Sequence, residues 1–321
     1  VLADQENTGD KGSSQVYAPY VVTILEGIIN HWNQAEVIYY KGQRDSHCRR
    51  LAKEADVVII VAGNDYMDEG ECVAKEGEDS SYQEFGGDRT KGLGLKERDL
   101  SIIHTVAEVR EDAVEVLFGG SSFTIEEWQD KVGAILLAYY PGMEGGNAVA
   151  EVLFGDVNPS GKLPFVMAEK ENDLPDMDWN ADEVVYQYCH GYTLLAEKGE
   201  KPMYPFGFGL SYTTFRLSDV GAQREGERIL ASVILENTGK REGAEVLQMY
   251  IGAEESAVWR PRYVLKDFRK IRLAPGEKRQ VFLSCTLQDM AYYNEEKKAF
   301  VIEDIPYQVY VGTSSAAADL I

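Results

Sequence analysis

One stretch of the sequence, residues 56–95, constrains the fold of this chain more than any other. It opens with the apolar run 57–61, VVIIV, which lies between Asp56 and the nearby Gly63. A short apolar run with such boundaries is typical of a strand buried on both faces of a parallel sheet. A long polar loop follows, and loops of this length in compact domains are commonly functional. Because ligands of open α/β sheets bind beyond the carboxyl ends of the strands, we expect a functional carboxylate in this loop.

The first two thirds of the chain alternate helical and extended patterns. Apolar residues at helical spacing predict helices at 21–32, 48–55, 96–109, 125–132 and 147–154. Compact apolar runs predict strands at 36–40, 56–61, 113–118 and 133–139. This alternation predicts an α/β fold over residues 1–214, with a mainly parallel sheet covered by helices on both faces, an α/β sandwich.

From about Phe215 the hydrophobic period changes to two. Residues 280–287 and 246–251 alternate apolar and other side chains, and turn signals lie at 237–239 (NTG) and 274–276 (APG). Short strands joined by such turns predict a second, all-β sandwich domain over residues 215–321. The chain begins Val-Leu-Ala without a methionine, and a strand predicted before residue 7 is cut short there, so we expect a processed chain, a fragment or one subunit.

The charge and the cysteines narrow the class of function. The formal net charge is −22, which disfavours both nucleic acid and anionic membrane surfaces as partners. No apolar run approaches the roughly 20 residues that a membrane helix needs. The four cysteines and four histidines are scattered, without zinc-ligand spacing or a disulfide framework. Unpaired cysteines fit a reducing compartment, so we expect a cytoplasmic protein, although a targeting segment could have been removed.

Glu69 and Glu71 are the candidate catalytic residues of the loop. A carboxyl group in a cleft can act as a general acid when its surroundings favour the protonated form. The alternative is that acidic residues on a loop of an acidic protein only solvate it. Nearby, Arg89 follows Asp88, and an ion pair that anchors the loop is a simpler interpretation than a substrate clamp.

Two glycine-rich turns and one histidine have structural interpretations that compete with functional ones. Residues 119–122 (GGSS) lack the lysine of a phosphate loop and the spacing of a nucleophile elbow, so a tight strand-to-helix turn is favoured. Residues 142–146 (GMEGG) precede a helix and could hold an anion, but a turn is again simpler. Without a phosphate loop, a nucleotide-binding function has little support. His190 is interpreted as a structural or surface residue.

Several runs of the sequence resemble family 3 glycoside hydrolases, the β-glucosidase and β-xylosidase family. In the first domain these runs are NTGDKGSS (7–14), PGMEGG (141–146), VLFGDVNPSGKLP (152–164) and PFGFGLSYTTF (205–215). In the second they are NTGKREGAEVLQMYIG (237–252), LAPGEKRQVFL (273–283) and YQVYVGTSS (307–315), which resemble the fibronectin type III-like domain of the family. The resemblance covers nearly all of the chain.

This resemblance implies a retaining, exo-acting enzyme in which the α/β sandwich supplies an acid/base glutamate from a loop. Many members carry E-x-E-G-x-D-R there, with the second glutamate as the acid/base. Here the residues are Glu69-Gly70-Glu71, and the Asp-Arg pair follows only at 88–89. Matching E-x-E favours Glu71, whereas matching the Glu-Gly pair favours Glu69.

The resemblance also implies a partner, because family members place an aspartate nucleophile on a separate (β/α)8 barrel. No stretch of this sequence can supply eight βα units, so the barrel is expected on another chain or segment. The implied substrate is a terminal β-linked sugar, such as a β-glucoside, and no metal or organic cofactor is implied. The competing hypothesis is a non-catalytic carbohydrate-binding or scaffolding module that has kept the fold and lost the chemistry.

Overall fold

The computed structural model describes residues 2–9, 12–32, 34–70, 89, 92–176, 178 and 181–321. The chain divides into two compact units. Unit 1 consists of Val1–Val157 with Glu169–Glu171, and unit 2 of Asn158–Ala168 with Asn172–Ile321. These units group residues by contact, and the domain limits 1–214 and 215–321 stay a prediction.

Unit 1 is built on a parallel sheet whose described strands are β1 (Ile59–Gly63), β2 (Val114–Phe118) and β3 (Ala134–Tyr139), in the order β1-β2-β3. The helices of this unit are α1 (Ile24–His31), α2 (Asp45–Glu54), α3 (Tyr66–Glu69), α4 (Glu97–Ala107) and α5 (Gly145–Leu153). The sheet is open within the described residues. The predicted parallel sheet with helices is therefore confirmed.

Two predicted elements of unit 1 are wrong. Residues 36–40 form no strand, although their sequence is apolar and aromatic. The amide of Leu2 donates to the carbonyl oxygen of Val61 at 3.1 Å, so other backbone lies against β1 at this position. A strand needs a partner for its ladder of hydrogen bonds, and residues 36–40 do not find one in the described part of the chain. The helix predicted at 125–132 is only a 3₁₀ turn at Gln129–Lys131, beside the buried Trp128.

Helices α1 and α5 touch through their backbones. A Cβ atom on Gly27 would overlap the carbonyl group of Gly146, and one on Gly146 would overlap the carbonyl oxygen of Thr23. The amide of Gly146 donates to the carbonyl oxygen of Val22 at 3.0 Å. Gly146, the last glycine of the 142–146 turn, therefore serves close helix packing, which supports the structural interpretation over an anion site.

Unit 2 is a β-sandwich preceded by the helix α6 (Gly191–Lys198). Its strands are β4 (Phe215–Glu225), β5 (Arg228–Asn237), β6 (Gly243–Gly252), β7 (Val264–Leu273), β8 (Lys278–Thr286), β9 (Tyr292–Asn294), β10 (Ala299–Val301) and β11 (Gln308–Gly312). They form the antiparallel sheets β4-β5-β8 and β11-β6-β7 with a β9-β10 hairpin. Between the two larger sheets lies an apolar core that includes Val233, Leu247 and Leu283. The predicted all-β sandwich is confirmed.

Two of the glycine-rich runs bind each other inside unit 2. The side chain of Asn158 accepts hydrogen bonds from the Ser211 hydroxyl (3.0 Å) and the Tyr212 amide (2.7 Å). Lys162 Nζ donates to the carbonyl oxygen of Gly209 at 2.8 Å and pairs with Glu245 Oε1 at 2.6 Å, where both side chains are largely buried. The run 152–164 therefore anchors the run 205–215, and these residues have a structural role.

Candidate functional site

The carboxyl ends of the three parallel strands meet at the side chain of Glu69. After β1, the one-turn helix α3 begins at its N-cap, Asp65, whose carboxylate accepts from the amide of Met67 at 2.8 Å. In return the Asp68 carboxylate accepts from the Asp65 amide at 3.0 Å. This reciprocal cap stabilises a turn too short to persist alone and places Glu69 at its last position.

Glu69 accepts two hydrogen bonds on one carboxylate oxygen. Its Oε1 receives the backbone N–H of Gly120, which follows β2, at 2.9 Å, and the hydroxyl of Tyr140, which follows β3, at 2.8 Å. Hydrogen bonds to a carboxylate are among the stronger ones in proteins. Glu69 thus connects the loop after β1 to the two neighbouring strand ends, over 51 and 71 residues of sequence.

The glycine pair after β2 makes room for this carboxylate. Gly119 has φ of +156°, and a Cβ atom there would overlap the Phe123 ring and lie 3.1 Å from Glu69 Oε1. Because the Gly120 amide already donates to a carboxylate, a phosphate at this turn would meet a negative charge. The structure therefore supports the turn interpretation of residues 119–122.

Arg89 brings a positive charge to the same cluster. Its guanidinium Nη2 donates to the carbonyl oxygen of Ser122, and its Cζ lies 4.8 Å from the centre of the Phe123 ring. Burial lowers the pKa of Arg89, and the nearby carboxylate of Glu69 opposes that change. An arginine remains protonated in proteins, so this charge persists beside Glu69.

Tyr140 acts as a hydrogen-bond donor in the cluster. Its pKa lies well above the ordinary range for tyrosine, first because the ring is buried and second because its hydroxyl donates to Glu69. The hydroxyl therefore keeps its proton at neutral pH and continues to donate to the carboxylate. A salt bridge of 2.7 Å from Lys96 Nζ to Asp68 Oδ2 further ties α3 to the start of α4.

Two buried carboxyl groups lie in unit 1, one on the sheet and one on a helix of the same unit, and the sequence patterns did not single them out. Glu115, on the central strand β2, is fully buried, and Asp99 on α4 is 1% exposed. Asp99 Oδ2 accepts the amide of Gly63, the last residue of β1, at 3.3 Å. Burial raises the pKa of both groups, and each forms no ion pair within the described ranges. A glutamate inside an otherwise apolar strand was the available signal.

The other predicted site residues have different outcomes. Glu71 and Asp88 lie outside the described residues, so the Glu71 assignment and the Asp88–Arg89 pair stay predictions. His190 lies at the N-cap of α6, where its carbonyl oxygen accepts from the Thr193 hydroxyl at 2.7 Å, in keeping with a structural role. The described residues contain no cluster of three or more His, Cys, Asp or Glu side chains that could hold a metal ion. Nor does any helix among them have the length and apolarity to cross a membrane.

An open parallel α/β unit with a carboxylate cluster at its strand ends, followed by a fibronectin type III-like sandwich, defines the class of this protein. Residues 2–212 match the family described as Glycosyl hydrolase family 3 C-terminal domain. Residues 245–315 match the Fibronectin type III-like domain. The chain belongs to glycosyl hydrolase family 3, which confirms the resemblance found in the sequence.

Known β-glucosidases are similar to most of this chain. The thermostable β-glucosidase B of Acetivibrio thermocellus is 35% identical over 279 residues, which cover 84% of this chain and 35% of that protein. The periplasmic β-glucosidase of Salmonella typhimurium is 33% identical over 339 residues, covering 98% of this chain and 41% of that protein.

A solved structure shares the fold of nearly the whole chain. The β-glucosidase 3B of Thermotoga neapolitana, solved in complex with glycerol, has a TM-score of 0.83 and 29% identity, covering 99% of this chain and 48% of that one. This chain therefore spans less than half the length of these three proteins.

Proposed function

We propose that this chain supplies the acid/base glutamate of a retaining, exo-acting β-glycosidase, specifically a β-glucosidase, together with a (β/α)8 barrel that carries an aspartate nucleophile. Two observations support this proposal: the chain is similar to proteins named β-glucosidases, and it spans less than half of their length. Both fit a catalytic unit whose remaining part lies on another chain or segment. The observation that carries the proposal is the anchoring of the loop after β1 at the ends of β2 and β3 through Glu69. That loop contains Glu71, the first candidate for the acid/base, with Glu69 as the alternative.

In this proposal the glutamate acts twice. As the aspartate of the barrel attacks the anomeric carbon, the carboxylic acid of Glu71 protonates the glycosidic oxygen and the aglycone departs. The resulting carboxylate then takes a proton from water, which attacks the covalent glycosyl intermediate and releases the sugar with its original configuration. Retaining chemistry requires the two carboxyl groups to be about 5–5.5 Å apart in the assembled site.

The first test is whether hydrolysis requires a partner. The rate of release of 4-nitrophenol from its β-glucoside is measured for this chain alone, for a barrel protein or segment encoded beside it, and for the two together. We expect activity only in the combination. Activity of this chain alone would place a nucleophile within it and contradict the proposal. Binding of sugar by an inactive combination would favour a carbohydrate-binding module.

The second test addresses the carboxyl group itself, in the active combination. Glu71→Gln should reduce hydrolysis of methyl β-glucoside far more than that of 2,4-dinitrophenyl β-glucoside, because a good leaving group needs little protonation. Added azide should restore turnover with the activated substrate and yield β-glucosyl azide. Glu54→Gln, at an exposed ion pair with Arg50 on α2, is the matched control and should change neither rate. If Glu71→Gln and Glu69→Gln both leave the rates intact, the proposed role of this chain is wrong.

A further inference from the structure

We infer that Glu69 is a positioning residue: held by Tyr140 and Gly120, it fixes the start of the loop that carries the acid/base, and it does not itself exchange a proton with the substrate. This inference rests on the function proposed above. It separates the roles of the two glutamates, which the sequence left open.

One oxygen of the Glu69 carboxylate is already occupied by donors from the protein. A carboxylate oxygen has two lone pairs in its plane, and Oε1 receives two donors, at 2.8 and 2.9 Å. One of these donors is a backbone amide and the other is a tyrosine hydroxyl that keeps its proton, so neither can relay a proton to a sugar. This oxygen is therefore committed to the protein and is unsuited to protonating a leaving group.

Glu69 joins α3 to the ends of two strands of the parallel sheet. Its own backbone is fixed, because its amide donates to the carbonyl oxygen of Asp65 at 3.2 Å and the Gly70 amide donates to that of Tyr66 at 3.0 Å. Its side chain reaches the ends of two other strands. Backbone hydrogen bonds within α3 and the side-chain hydrogen bonds of Glu69 together fix the backbone up to Gly70. Glu71 is the next residue of the sequence.

The surrounding residues hold Glu69 both by their geometry and by their charge. The Gly119-Gly120 turn leaves space for the carboxylate, and side chains at this turn would fill that space. A Cβ atom on Gly119 would lie only 3.1 Å from Glu69 Oε1. Tyr140 is half-buried, and Arg89 contributes a positive charge nearby. A rigid support of this kind matters to catalysis because a displacement of about 1 Å of an acid/base can reduce the rate about 10²-fold.

The decisive experiment compares Glu69→Gln with Glu69→Ala in the active combination of this chain and its barrel. Glutamine keeps an oxygen that can accept from Gly120 and Tyr140, so a positioning role predicts a loss of at most a few-fold. Alanine removes both hydrogen bonds and should reduce turnover of methyl β-glucoside by roughly 10- to 100-fold. The loss should be smaller with 2,4-dinitrophenyl β-glucoside, since the displaced acid matters less there. Azide should give no β-glucosyl azide, because Glu71 is still present.

Tyr140→Phe provides a second and independent perturbation. It removes one of the two donors and should reduce turnover about tenfold with the same dependence on the leaving group. Combining it with Glu69→Ala should add little, because both changes break one interaction. Tyr17→Phe, at a largely exposed tyrosine, is the control and should be neutral. Circular dichroism of each variant separates loss of positioning from loss of folding.

The possible results distinguish this inference from the proposed function. Glu69→Gln as inactive as Glu69→Ala, with formation of β-glucosyl azide, would make Glu69 the acid/base and overturn the inference while this chain still supplied the carboxyl group. Full activity of Glu69→Ala, with Glu71→Gln inactive, would also overturn it, because positioning by Glu69 would then be unnecessary. The inference is supported when glutamine rescues what alanine loses.

Discussion

The buried carboxyl pair of unit 1 predicts a specific dependence of stability on pH. Glu115 is fully buried on β2, the central strand of the described sheet, and burial, followed by the charge of Asp99, raises its pKa well above the ordinary value near 4.5. The native state therefore holds a proton that the unfolded chain releases. For such a group the stabilisation is complete below the unfolded pKa and is lost as pH rises toward the folded pKa.

The magnitude follows from the number of protons. One proton bound only by the native state changes the free energy of unfolding by about 1.4 kcal/mol per pH unit. Asp99 is also buried with a raised pKa, so the slope belongs to the pair. Glu115→Gln has no proton to lose, and its buried amide costs about 1–3 kcal/mol at every pH. At pH 5 the free energy of unfolding of the variant should therefore be lower than that of the parent. The difference between the two should then shift in favour of the variant by about 1.4 kcal/mol for each pH unit, until the pH reaches the pKa of Glu115 in the folded state.

The assay is urea unfolding at several pH values from 5 to 8, followed by tryptophan fluorescence, to which Trp128, buried in the same unit at 1% exposure, contributes. Subtracting the parent from the variant removes the titration of the shared groups that do not interact with Glu115. Glu54→Gln is the matched control, because it makes the same change at an exposed residue of the same unit. Parallel curves for the parent and Glu115→Gln over this range would refute the reasoning, since they would mean that the native state holds no extra proton.

Three other substitutions test the packing inside each unit, one in unit 1 and two in unit 2. Gly146→Ala should destabilise unit 1 by about 1–3 kcal/mol, because its Cβ would overlap the backbone of Thr23, the N-cap of α1, whereas Gly161→Ala, at a position with open space, should change thermal stability little. Lys162→Met should lower the free energy of unfolding in urea by about 3–5 kcal/mol, because it leaves Glu245 buried without its cation. The double variant with Glu245→Met should recover much of that loss. A double variant less stable than the single one would contradict this expectation. Asn237→Asp should cost about 2 kcal/mol or more, since the fully buried amide Nδ2 donates to two backbone carbonyls, at 2.7 and 3.0 Å, that an aspartate oxygen would repel. A midpoint of thermal unfolding within 1 °C of the parent would refute the last of these.

The sequence by itself determined the class of the fold in both halves. The apolar runs at 57–61, 113–118 and 133–139 have few alternatives to buried strands, and each became a strand of the parallel sheet. The period of two after Phe215 likewise predicted the sandwich, because alternation is what a sheet with one buried face requires. The motifs at 141–146, 152–164 and 205–215 were sufficient to identify the family, which the comparisons confirm.

Local sequence patterns gave wrong or incomplete predictions where contacts with other segments determined the structure. Residues 36–40 have the composition of a strand, but composition cannot supply a partner for their backbone hydrogen bonds. The one signal for Glu115 in the sequence was a glutamate within an apolar run, and burial of a carboxyl group there was not expected because it is costly and unusual.

The tertiary structure alone decided the surroundings of Glu69. In the sequence this residue is one of several acids on a polar loop, 51 residues from Gly120 and 71 from Tyr140. Only the parallel sheet, which brings the carboxyl ends of its strands to one edge, places the Gly120 amide and the Tyr140 hydroxyl on one oxygen of its carboxylate. Periodicity reports how each segment buries its own side chains, but contacts between distant strand ends depend on how the segments pack together.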